Sequence, residues 1–368
     1  MVLAFAPPGR YNTRPVVNAS TQAHRERAWV EVDLSTLVHN ARTVQTAARS
    51  ARLLPMVKAD AYGLGAVPVA RELEALDPWG FGVATVPEGA ALRAAGIRRP
   101  IVVFTPARAD QQAAYQAHDL RAVLDDPDVA GRWTLPFHLE IDTGMARAGI
   151  RWDEPERLAA VTSPQLEGAF THFHSADLEA GSVGEQWTRF QQALRSLGKQ
   201  PSLTHAGNSA GIWWLREHLD LVRPGVFLYG GRVGRHAPVP QPVVAVRARV
   251  VSTRRLRPGE PVSYGATWRA ERATDIATLG IGYADGMPRS AQGRARVLLG
   301  GRLCPVVGRV TMDMIMVQAE GAVPGDVATL IGSDGASEIT LDEFAGWVGT
   351  ISYEVLTGLG SRLPRAYG

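Results

Sequence analysis

The chain has 368 residues, 45% of them apolar, and a formal net charge of only +3. This length permits a sizeable core and two domains, and interspersed charges of both signs are typical of a globular protein. No apolar run approaches membrane-spanning length, and the one dense basic cluster, residues 254–257, precedes a Pro-Gly turn, so we predict neither a membrane nor a nucleic-acid partner. Cys304 is the only cysteine and residues 1–10 lack the pattern of a secretion signal, so the predicted location is cytoplasmic.

Residues 1–26 are polar, contain proline and lack periodicity, which predicts a flexible N-terminal tail. A strand is expected at 29–33, with Ser35 as the N-cap of a helix that reaches about Ala48. Short apolar strands then alternate with amphipathic segments, and they are predicted at 53–58, 80–85, 101–105, 121–124, 137–142, 167–173, 202–207 and 220–226. Repeated βα units without hairpin signals are typical of α/β proteins, and eight of them predict a (β/α)8 barrel of the TIM type at residues 27–240.

The pattern changes after Gly230-Gly231, where closely spaced β-branched segments and glycine-rich turns begin. Strands are predicted at 242–256, 261–268, 274–283, 295–299, 303–307, 314–318 and 326–331, with one helix near 341–348. This arrangement predicts a second, mostly antiparallel β domain at residues 241–368.

Lys58 ends the first predicted barrel strand, after an apolar run at 53–57. An ammonium group there is costly to bury unless it is paired, neutralised or used covalently. Lys58 and Lys199 are the only lysines in a chain that otherwise uses arginine. Because lysine can form a Schiff base and arginine cannot, we predict a nucleophilic role for Lys58; a lysine that only extends its amine to solvent is the structural alternative.

Polar residues also follow the other predicted barrel strands, whose carboxyl ends carry the catalytic groups in such barrels. Together they would form one rim consisting of Lys58, Tyr62, Arg147, His172, Asn208, Ser209 and Arg223. Alternation along strand 137–142 places His138, Glu140 and Asp142 on one face. Each residue has a structural alternative, such as a helix cap for Asn208 and Ser209. As a set, an amine, arginines and hydroxyls suit an anionic cofactor that forms an imine, and pyridoxal phosphate fits.

Motifs in a fixed order extend through both predicted domains. In the barrel they are 57–63 (VKADAYG), 142–147 (DTGMAR), 171–173 (THF), 205–209 (HAGNS) and 223–226 (RPGV). In the β domain they are 263–266 (SYGA), 283–286 (YADG), 308–313 (GRVTMD) and 353–354 (YE). With these motifs the chain resembles the bacterial, barrel-type alanine racemases over about residues 29–368.

The resemblance implies an isomerase that interconverts L-alanine and D-alanine, a peptidoglycan precursor, with pyridoxal 5'-phosphate as cofactor and no metal. It also implies a head-to-tail homodimer with shared active sites, in which the β domain contributes to the partner's site. Lys58 would hold the cofactor as an imine and act as one acid/base group. Tyr264 of the partner subunit would act as the other.

The resemblance further implies a set of cofactor-binding residues: Lys58, Tyr62, Arg147, His172, Asn208, Ser209, Arg223, Gly225, Val226 and Tyr353. Arg223 would face the pyridine nitrogen, with His172 bonded behind it. Arg147 would bind the cofactor's phenolic oxygen and lie near the substrate carboxylate, which the amide of Met312 of the partner subunit would also meet. The supporting residues would be Glu140, Asp313 and Tyr283.

Three positions depart from the family pattern. Glu140 stands where many members have a lysine, often carbamylated, and we expect its carboxylate to orient Arg147 in place of the carbamate. Leu64 stands where a histidine is usual, and Thr311 where a cysteine is usual. The sequence alone assigns no role to either.

The sequence leaves several other functions as alternatives. A racemase of serine or lysine could use the same scaffold, although Tyr264, Tyr283 and Tyr353 would narrow the pocket and favour the methyl group of alanine. The long glycine run that barrel-type amino-acid decarboxylases use at the phosphate is not evident. A non-catalytic pyridoxal-phosphate carrier would resemble the barrel alone, whereas this chain also has the β domain.

Overall fold

The computed structural model describes residues 26–178, 182–215 and 217–368. The predicted N-terminal tail therefore lies outside the described residues, except for Glu26. Contacts between residues divide the chain into two compact units. The barrel unit comprises Asp33–Ala245 and Glu338–Gly358, and the β unit comprises the residues up to Val32, Val246–Ser337 and Leu359–Gly368.

In the described residues, the strands are numbered in chain order. They are β1 (Ala28–Val32), β2 (Arg52–Leu53), β3 (Phe81–Val83), β4 (Ile101–Pro106), β5 (Arg121–Leu124), β6 (Phe137–Asp142), β7 (Ile150–Arg151), β8 (Leu166–Phe170), β9 (Leu203–Asn208), β10 (Leu221–Arg223), β11 (Val244–Leu256), β12 (Pro261–Val262), β13 (Trp268–Arg269), β14 (Thr274–Leu279), β15 (Arg296–Leu299), β16 (Arg302–Val307), β17 (Ile315–Gln318), β18 (Val327–Asp334), β19 (Ser337–Ile339) and β20 (Arg365–Tyr367).

The helices of the same described residues are likewise numbered in chain order. They are α1 (Leu34–Ala48), α2 (Lys58–Tyr62), α3 (Ala66–Leu73), α4 (Val86–Ala94), α5 (Gln112–Ala117), α6 (Pro127–Arg132), α7 (Pro155–Ala159), α8 (Val183–Ser196), α9 (Leu341–Val348) and α10 (Ser352–Gly358). Within the described ranges, none of them is long and apolar enough to cross a membrane.

Eight parallel strands form the sheet of the barrel unit, in the order β2-β10-β9-β8-β6-β5-β4-β3. The two ends of this order meet because Met56, just after β2, bridges Gly82 of β3 in the parallel direction. Gly82 permits this approach, since a Cβ there would lie 2.4 Å from the Met56 sulfur. The predicted eight-stranded barrel is thus confirmed.

The barrel interior is filled by apolar side chains from most of its strands, so it is a packed core and not a channel. The buried cluster consists of Leu54, Trp79, Val102, Val123, Phe170 and Leu221, with Phe104 and Leu203 packed against it. Each such side chain contributes about 1.5–3 kcal/mol through burial. The polar groups of the barrel are therefore confined to a few positions.

The β unit contains a mostly antiparallel sheet, as predicted, in the order β19-β18-β15-β16-β17-β14-β11-β1-β20. An additional pairing of β18 with β11 links distant parts of this order. The exception to the antiparallel pattern is β1, which pairs with β20 in parallel, with Val30 opposite Arg365. This pairing explains why the first described strand belongs to the β unit, although the sequence analysis groups it with the barrel.

Candidate active site

One cavity of about 400 Å³ lies in the barrel unit, among residues at and just beyond the carboxyl ends of the barrel strands. Its size is in the usual range for small-molecule sites. It is lined by Met56, Lys58, Ala59, Tyr62, Phe104, Glu140, Arg147, Phe170, His172, Asn208, Ser209, Arg223, Gly225, Ile351, Tyr353, Glu354 and Thr357. All seven residues of the predicted rim line this cavity.

Lys58 begins an unusual left-handed turn. The next four residues, 59–62, all have φ values between 52° and 56°, a conformation that costs roughly 1–2 kcal/mol for each residue with a Cβ. The turn is held by its surroundings, because the Ala59 amide donates to Glu88 Oε1 at 2.8 Å and the Ala61 amide donates to the Val57 carbonyl at 2.8 Å. Strained backbone of this kind is concentrated at functional sites.

The pKa of Lys58 is lowered, first by burial and then by the positive charge of Arg147, with a smaller contribution in the same direction from Arg223. Glu88 opposes this shift. A lower pKa increases the fraction of neutral amine, which is the nucleophilic and basic form. Lys58 is therefore suited to covalent chemistry in this cavity.

Arg223, the last residue of β10, is buried behind the cavity and tightly held. Its Nη1 donates to His205 Nδ1 at 2.7 Å, and its Nη2 donates to the Thr171 carbonyl at 2.7 Å. Burial lowers the pKa of Arg223 to about 9, so the guanidinium stays protonated at neutral pH. His172 Nδ1 lies farther from Arg223 Nη2, at 3.4 Å. The shortest histidine contact of Arg223 thus comes from His205, which the sequence analysis includes in a motif but does not assign to the site.

His172 and Asn208 lie side by side at the cavity, with His172 Nε2 3.5 Å from Asn208 Nδ2. Burial lowers the pKa of His172 well below its usual value, and nearby Arg223 acts in the same direction, so the ring is neutral. Asn208 Oδ1 accepts a hydrogen bond from the Gly211 amide at 2.8 Å, at the start of the short helix that follows β9. Asn208 therefore shapes the loop after β9 as well as lining the cavity.

Hydroxyl groups and a close-packed glycine form another side of the cavity. The Gly225 amide donates to Ser209 Oγ at 2.7 Å, and a Cβ on Gly225 would lie 2.3 Å from the Tyr62 hydroxyl oxygen. The Tyr62 ring packs against Tyr229 at 4.7 Å and Tyr353 at 6.0 Å between centroids. Val226, which follows Gly225, is buried. Only glycine lets the backbone approach Tyr62 this closely.

Arg147 enters the cavity from the loop after β6. Asp142 Oδ1 accepts hydrogen bonds from the amides of Gly144 at 2.9 Å and Ala146 at 3.0 Å, which fixes this loop. Arg147 Nη2 lies 3.7 Å from Glu140 Oε1. Burial raises the pKa of Glu140, and Arg147 and Arg223 partly offset that shift. The structure thus brings the predicted supporting carboxylate next to the arginine it is expected to orient.

The remaining predicted residues, Tyr264, Met312, Asp313 and Tyr283, belong to the β unit. Tyr264 is 70% exposed, and Met312 and Tyr283 are also exposed. The Ala284 amide donates to the Met312 carbonyl at 3.0 Å, so two of these segments are joined by the backbone. None of the four residues is among the described residues that line the cavity of the barrel unit.

The two other departures from the family pattern have simple structural roles. Thr311 Oγ1 donates to the Met314 carbonyl at 2.9 Å and accepts from the Met314 amide at 3.1 Å, which closes the turn that carries Met312. Leu64 is completely buried and belongs to the apolar core.

Sequence reasoning missed Glu88, which accepts from the amides of Ala84 at 2.7 Å and Thr85 at 3.1 Å as well as from Ala59. This carboxylate ties the start of α4 to the turn after Lys58. The pattern Thr85-x-x-Glu88 is a capping box, so a signal for it was present in the sequence.

Family models match nearly the whole described chain. The alanine racemase N-terminal domain matches residues 32–233, and the alanine racemase C-terminal domain matches residues 243–367. The chain belongs to the alanine racemase family. An alanine racemase from Symbiobacterium thermophilum is 41% identical over 367 residues, which covers 92% of this chain and 97% of the relative.

Solved structures of alanine racemases share the fold of this family member. The alanine racemase from Bacillus anthracis with bound L-Ala-P has a TM-score of 0.87 and 31% identity, covering 93% of this chain and 95% of that one. The alanine racemase from Bartonella henselae with covalently bound pyridoxal phosphate has a TM-score of 0.87 and 28% identity, covering 93% of this chain and all of that one (100%).

Proposed function

We propose that this isomerase interconverts L-alanine and D-alanine with pyridoxal 5'-phosphate as cofactor and with Lys58 and Tyr264 as its two acid/base groups. The observation that carries the proposal is Lys58 itself. In a chain of the alanine racemase family, it is an amine with a lowered pKa at the carboxyl end of a barrel strand, in a cavity with Arg147 and Arg223.

The cavity residues fit pyridoxal phosphate. The absence of a Cβ on Gly225 lets the Tyr62 hydroxyl lie against its backbone, and Ser209 and Tyr353 line the same cavity, so these groups and the amides of Gly225 and Val226 would hold the phosphate. Lys58 would hold the carbonyl end, Arg147 the phenolic oxygen, and Arg223 the ring nitrogen, with His172 and Asn208 beside them. When bound, the cofactor withdraws electrons and acidifies the Cα–H of the amino acid joined to it.

Arg223 limits how strongly the ring nitrogen is charged. A guanidinium has donors and no acceptor, and Arg223 stays protonated at neutral pH, so it donates a hydrogen bond to whatever accepts at its cavity face. A ring nitrogen held in this way accepts a hydrogen bond instead of carrying a proton. We therefore expect proton return to Cα to dominate over transamination.

Racemisation removes a proton from one face of Cα and returns one to the other face, so it needs two acid/base groups. Lys58, with its lowered pKa, is suited to one face. The tyrosines of the same cavity are poor candidates for the other, because burial raises the pKa of Tyr353 to about 12 and raises that of Tyr62 still further. Both phenols therefore remain protonated near neutral pH.

Tyr264 is the better candidate for the second group, and its 70% exposure leaves it free to enter the cavity of a second copy. We accordingly propose a head-to-tail homodimer with two shared sites, in which residues 27–240 bind the cofactor and residues 241–368 serve the site of the partner. The amide of Met312 of the partner subunit would join Arg147 at the substrate carboxylate, with Asp313 and Tyr283 in support. A cytoplasmic location is part of the proposal, and the single cysteine, which permits no internal disulfide, supports it.

The test follows the circular dichroism of L-alanine over time with purified protein and added pyridoxal phosphate, and a Lys58→Ala variant is the control. The expected result is decay to zero, an equal mixture of enantiomers, only with the unaltered chain. A flat trace with cofactor demonstrably bound would overturn the alanine assignment. The same assay with L-serine and L-lysine would then identify a racemase of another amino acid or leave a cofactor carrier.

A further inference from the structure

A row of polar side chains extends from Arg223 away from the cavity and into the barrel. Arg223 Nη1 lies 2.7 Å from His205 Nδ1, and His205 Nε2 lies 2.7 Å from His138 Nδ1. His138 Nε2 then lies 3.4 Å from Glu167 Oε2. Arg223 is the last residue of β10, whereas Glu167 is the second residue of β8, so the row leads from the carboxyl ends of the strands towards their amino ends.

The hydrogen bonds of this row can point in only one direction. A guanidinium only donates, so His205 Nδ1 must accept and carry no proton. A neutral His205 then carries its proton on Nε2 and donates it to His138 Nδ1, which leaves the proton of His138 on Nε2. That proton faces Glu167, and a carboxylate is an acceptor. Donation therefore runs from Arg223 through both rings to Glu167.

The charges of the row agree with this direction. Burial lowers the pKa of both histidines, and the positive charge of Arg223 acts in the same direction. Glu167 opposes the shift at His138 without reversing it, so both rings are neutral. Burial alone would raise the pKa of Glu167, but His138 and Arg121 outweigh it, and the net shift is downward. Glu167 is therefore the negative end of a row whose other end is the cation at the cavity.

The local backbone is built to bring Glu167 to His138. In the pairing of β6 with β8, Phe137 is opposite Leu166 but His138 is opposite Gly168, so Glu167 is an extra residue in a β-bulge. A Cβ on Gly168 would lie 2.5 Å from His138 Nδ1, so glycine is needed where the ring packs. Bulges often redirect a side chain near a functional site.

The far end of the row is looser than the rest. Arg121 Nε, His138 Nε2 and Glu167 Oε2 are buried atoms that make no hydrogen bond of good geometry among the described residues. Glu167 Oε2 lies 3.4 Å from His138 Nε2 and 3.5 Å from Arg121 Nε, so this carboxylate is an acceptor within reach of both donors. The carboxylate thus faces the proton on His138 Nε2 and is placed to hold that ring in position.

We propose that Glu167 is a positioning residue that acts through His138 and His205 to fix the orientation of Arg223 at the cofactor. This inference rests on the proposed function and deepens it. Glu167 contacts neither the substrate nor the cofactor, and its effect reaches the cavity only through the two rings. Loss of a supporting partner behind a functional ligand commonly costs 10- to 100-fold in activity at metal sites, and we expect the lower end of that range here.

The test combines nuclear magnetic resonance with kinetics on the cofactor-loaded enzyme. Histidine-selective 15N labelling reports which ring nitrogen carries the proton, and His138→Gln and His205→Gln assign the two rings. The variants are Glu167→Met, which removes the acceptor, and Glu167→Gln, whose amide oxygen can still accept. Asp119→Asn is the matched control, because Asp119 pairs with Arg121 at 3.0 Å and is not part of the row formed by Arg223, His205, His138 and Glu167.

In the unaltered enzyme, we expect protons on Nε2 and not on Nδ1 of both rings. Glu167→Met should shift the 15N resonance of His138 Nε2, whose proton loses its acceptor, and lower kcat about ten-fold with unchanged KM, whereas Glu167→Gln and Asp119→Asn should retain the wild-type pattern. A proton on Nδ1 of either ring in the unaltered enzyme would overturn the proposal, as would a Glu167→Met variant with the wild-type His138 Nε2 resonance and the wild-type kcat. If Glu167→Met does not fold, the proton positions on the two rings in the unaltered enzyme and in Glu167→Gln still test the proposal. The tautomers are read without turnover, so failure of alanine racemisation would be a separate result.

Discussion

Arg147 and Glu140 form an unequal ion pair in the cavity, with Arg147 Nη2 3.7 Å from Glu140 Oε1. The arginine side chain is 55% exposed and the glutamate side chain only 5%. A buried carboxylate thus lies beside a largely solvent-exposed cation. We therefore expect Glu140 to supply the negative charge that a carbamylated lysine supplies in many members of the family.

Replacement of Glu140 by Gln should lower kcat/KM for alanine by a factor of about 1.4 to 5, since an ion pair with one exposed partner contributes roughly 0.2–1 kcal/mol. The cofactor should stay bound, because Glu140 is expected to act on Arg147 and not on the phosphate. Added bicarbonate should leave the unaltered enzyme unchanged. Glu156→Gln, at an exposed position of α7, is the matched control. A fully active Glu140→Gln variant would refute this role.

Capture of pyridoxal phosphate by the cofactor-free protein should accelerate with pH, with a midpoint below 10.5, the usual value for lysine. The sign follows from the chemistry, because only the neutral amine of Lys58 attacks the cofactor, and burial, Arg147 and Arg223 all favour that neutral form. Glu88 opposes them, so Glu88→Gln should move the midpoint lower still. Stopped-flow absorbance over a pH series measures both midpoints. A midpoint at or above 10.5 in the unaltered chain would contradict the assignment.

Asp285 should be a main stabilising residue of the β unit. Its buried carboxylate pairs with Arg27 at 2.7 Å and Arg362 at 2.9 Å, and Arg362 also pairs with Asp313 at 2.9 Å. Asp285→Asn should reduce the free energy of unfolding by about 1–3 kcal/mol at pH 7, measured by urea denaturation. Asp275→Asn, which breaks only the exposed pair with Arg255, should cost at most about 1 kcal/mol.

The stability difference between the unaltered chain and Asp285→Asn should depend on pH. Burial raises the pKa of Asp285, but hydrogen bonds from Arg27, the Gly282 amide and Arg362 outweigh it, so the pKa lies below the usual 3.8. A lowered carboxyl pKa stabilises the folded state above pH 3.8, and this stabilisation is lost as the pH falls through the folded-state pKa. The difference between the unaltered chain and Asp285→Asn should therefore shrink in acid. An equal difference at pH 7 and in strong acid would contradict the assignment.

The sequence predicted local structure well where short apolar runs stand between turn residues. Strands β5 and β6 have the predicted bounds, 121–124 and 137–142. The interpretation of 261–268 as one strand is wrong, because Ser263, Gly265 and Ala266 take positive φ values and turn the chain between β12 and β13. The predicted cap Ser35 is also wrong, since Asp33 accepts from the Thr36 amide at 2.8 Å.

In the candidate site, only the residues that belong to the sequence motifs were predictable. The motif residues lead to Lys58, Arg147 and Arg223, which the structure brings to one cavity. The contact between Arg223 and His205 depends on the stagger between neighbouring strands, and that of Glu167 with His138 depends on a bulge. Neither feature has a local sequence signal, because register and bulges are set by pairing between distant segments.

We propose that each active site combines Lys58 of one chain with Tyr264 of another. It is tested most directly by mixing two inactive variants, Lys58→Ala and Tyr264→Phe, after dissociation and reassociation. Random reassociation makes half of the dimers mixed, each with one intact site of two, so racemisation should recover to about a quarter of the wild-type rate. If both residues serve the site of their own chain, every site lacks one group, and a mixture as inactive as its components would contradict the account.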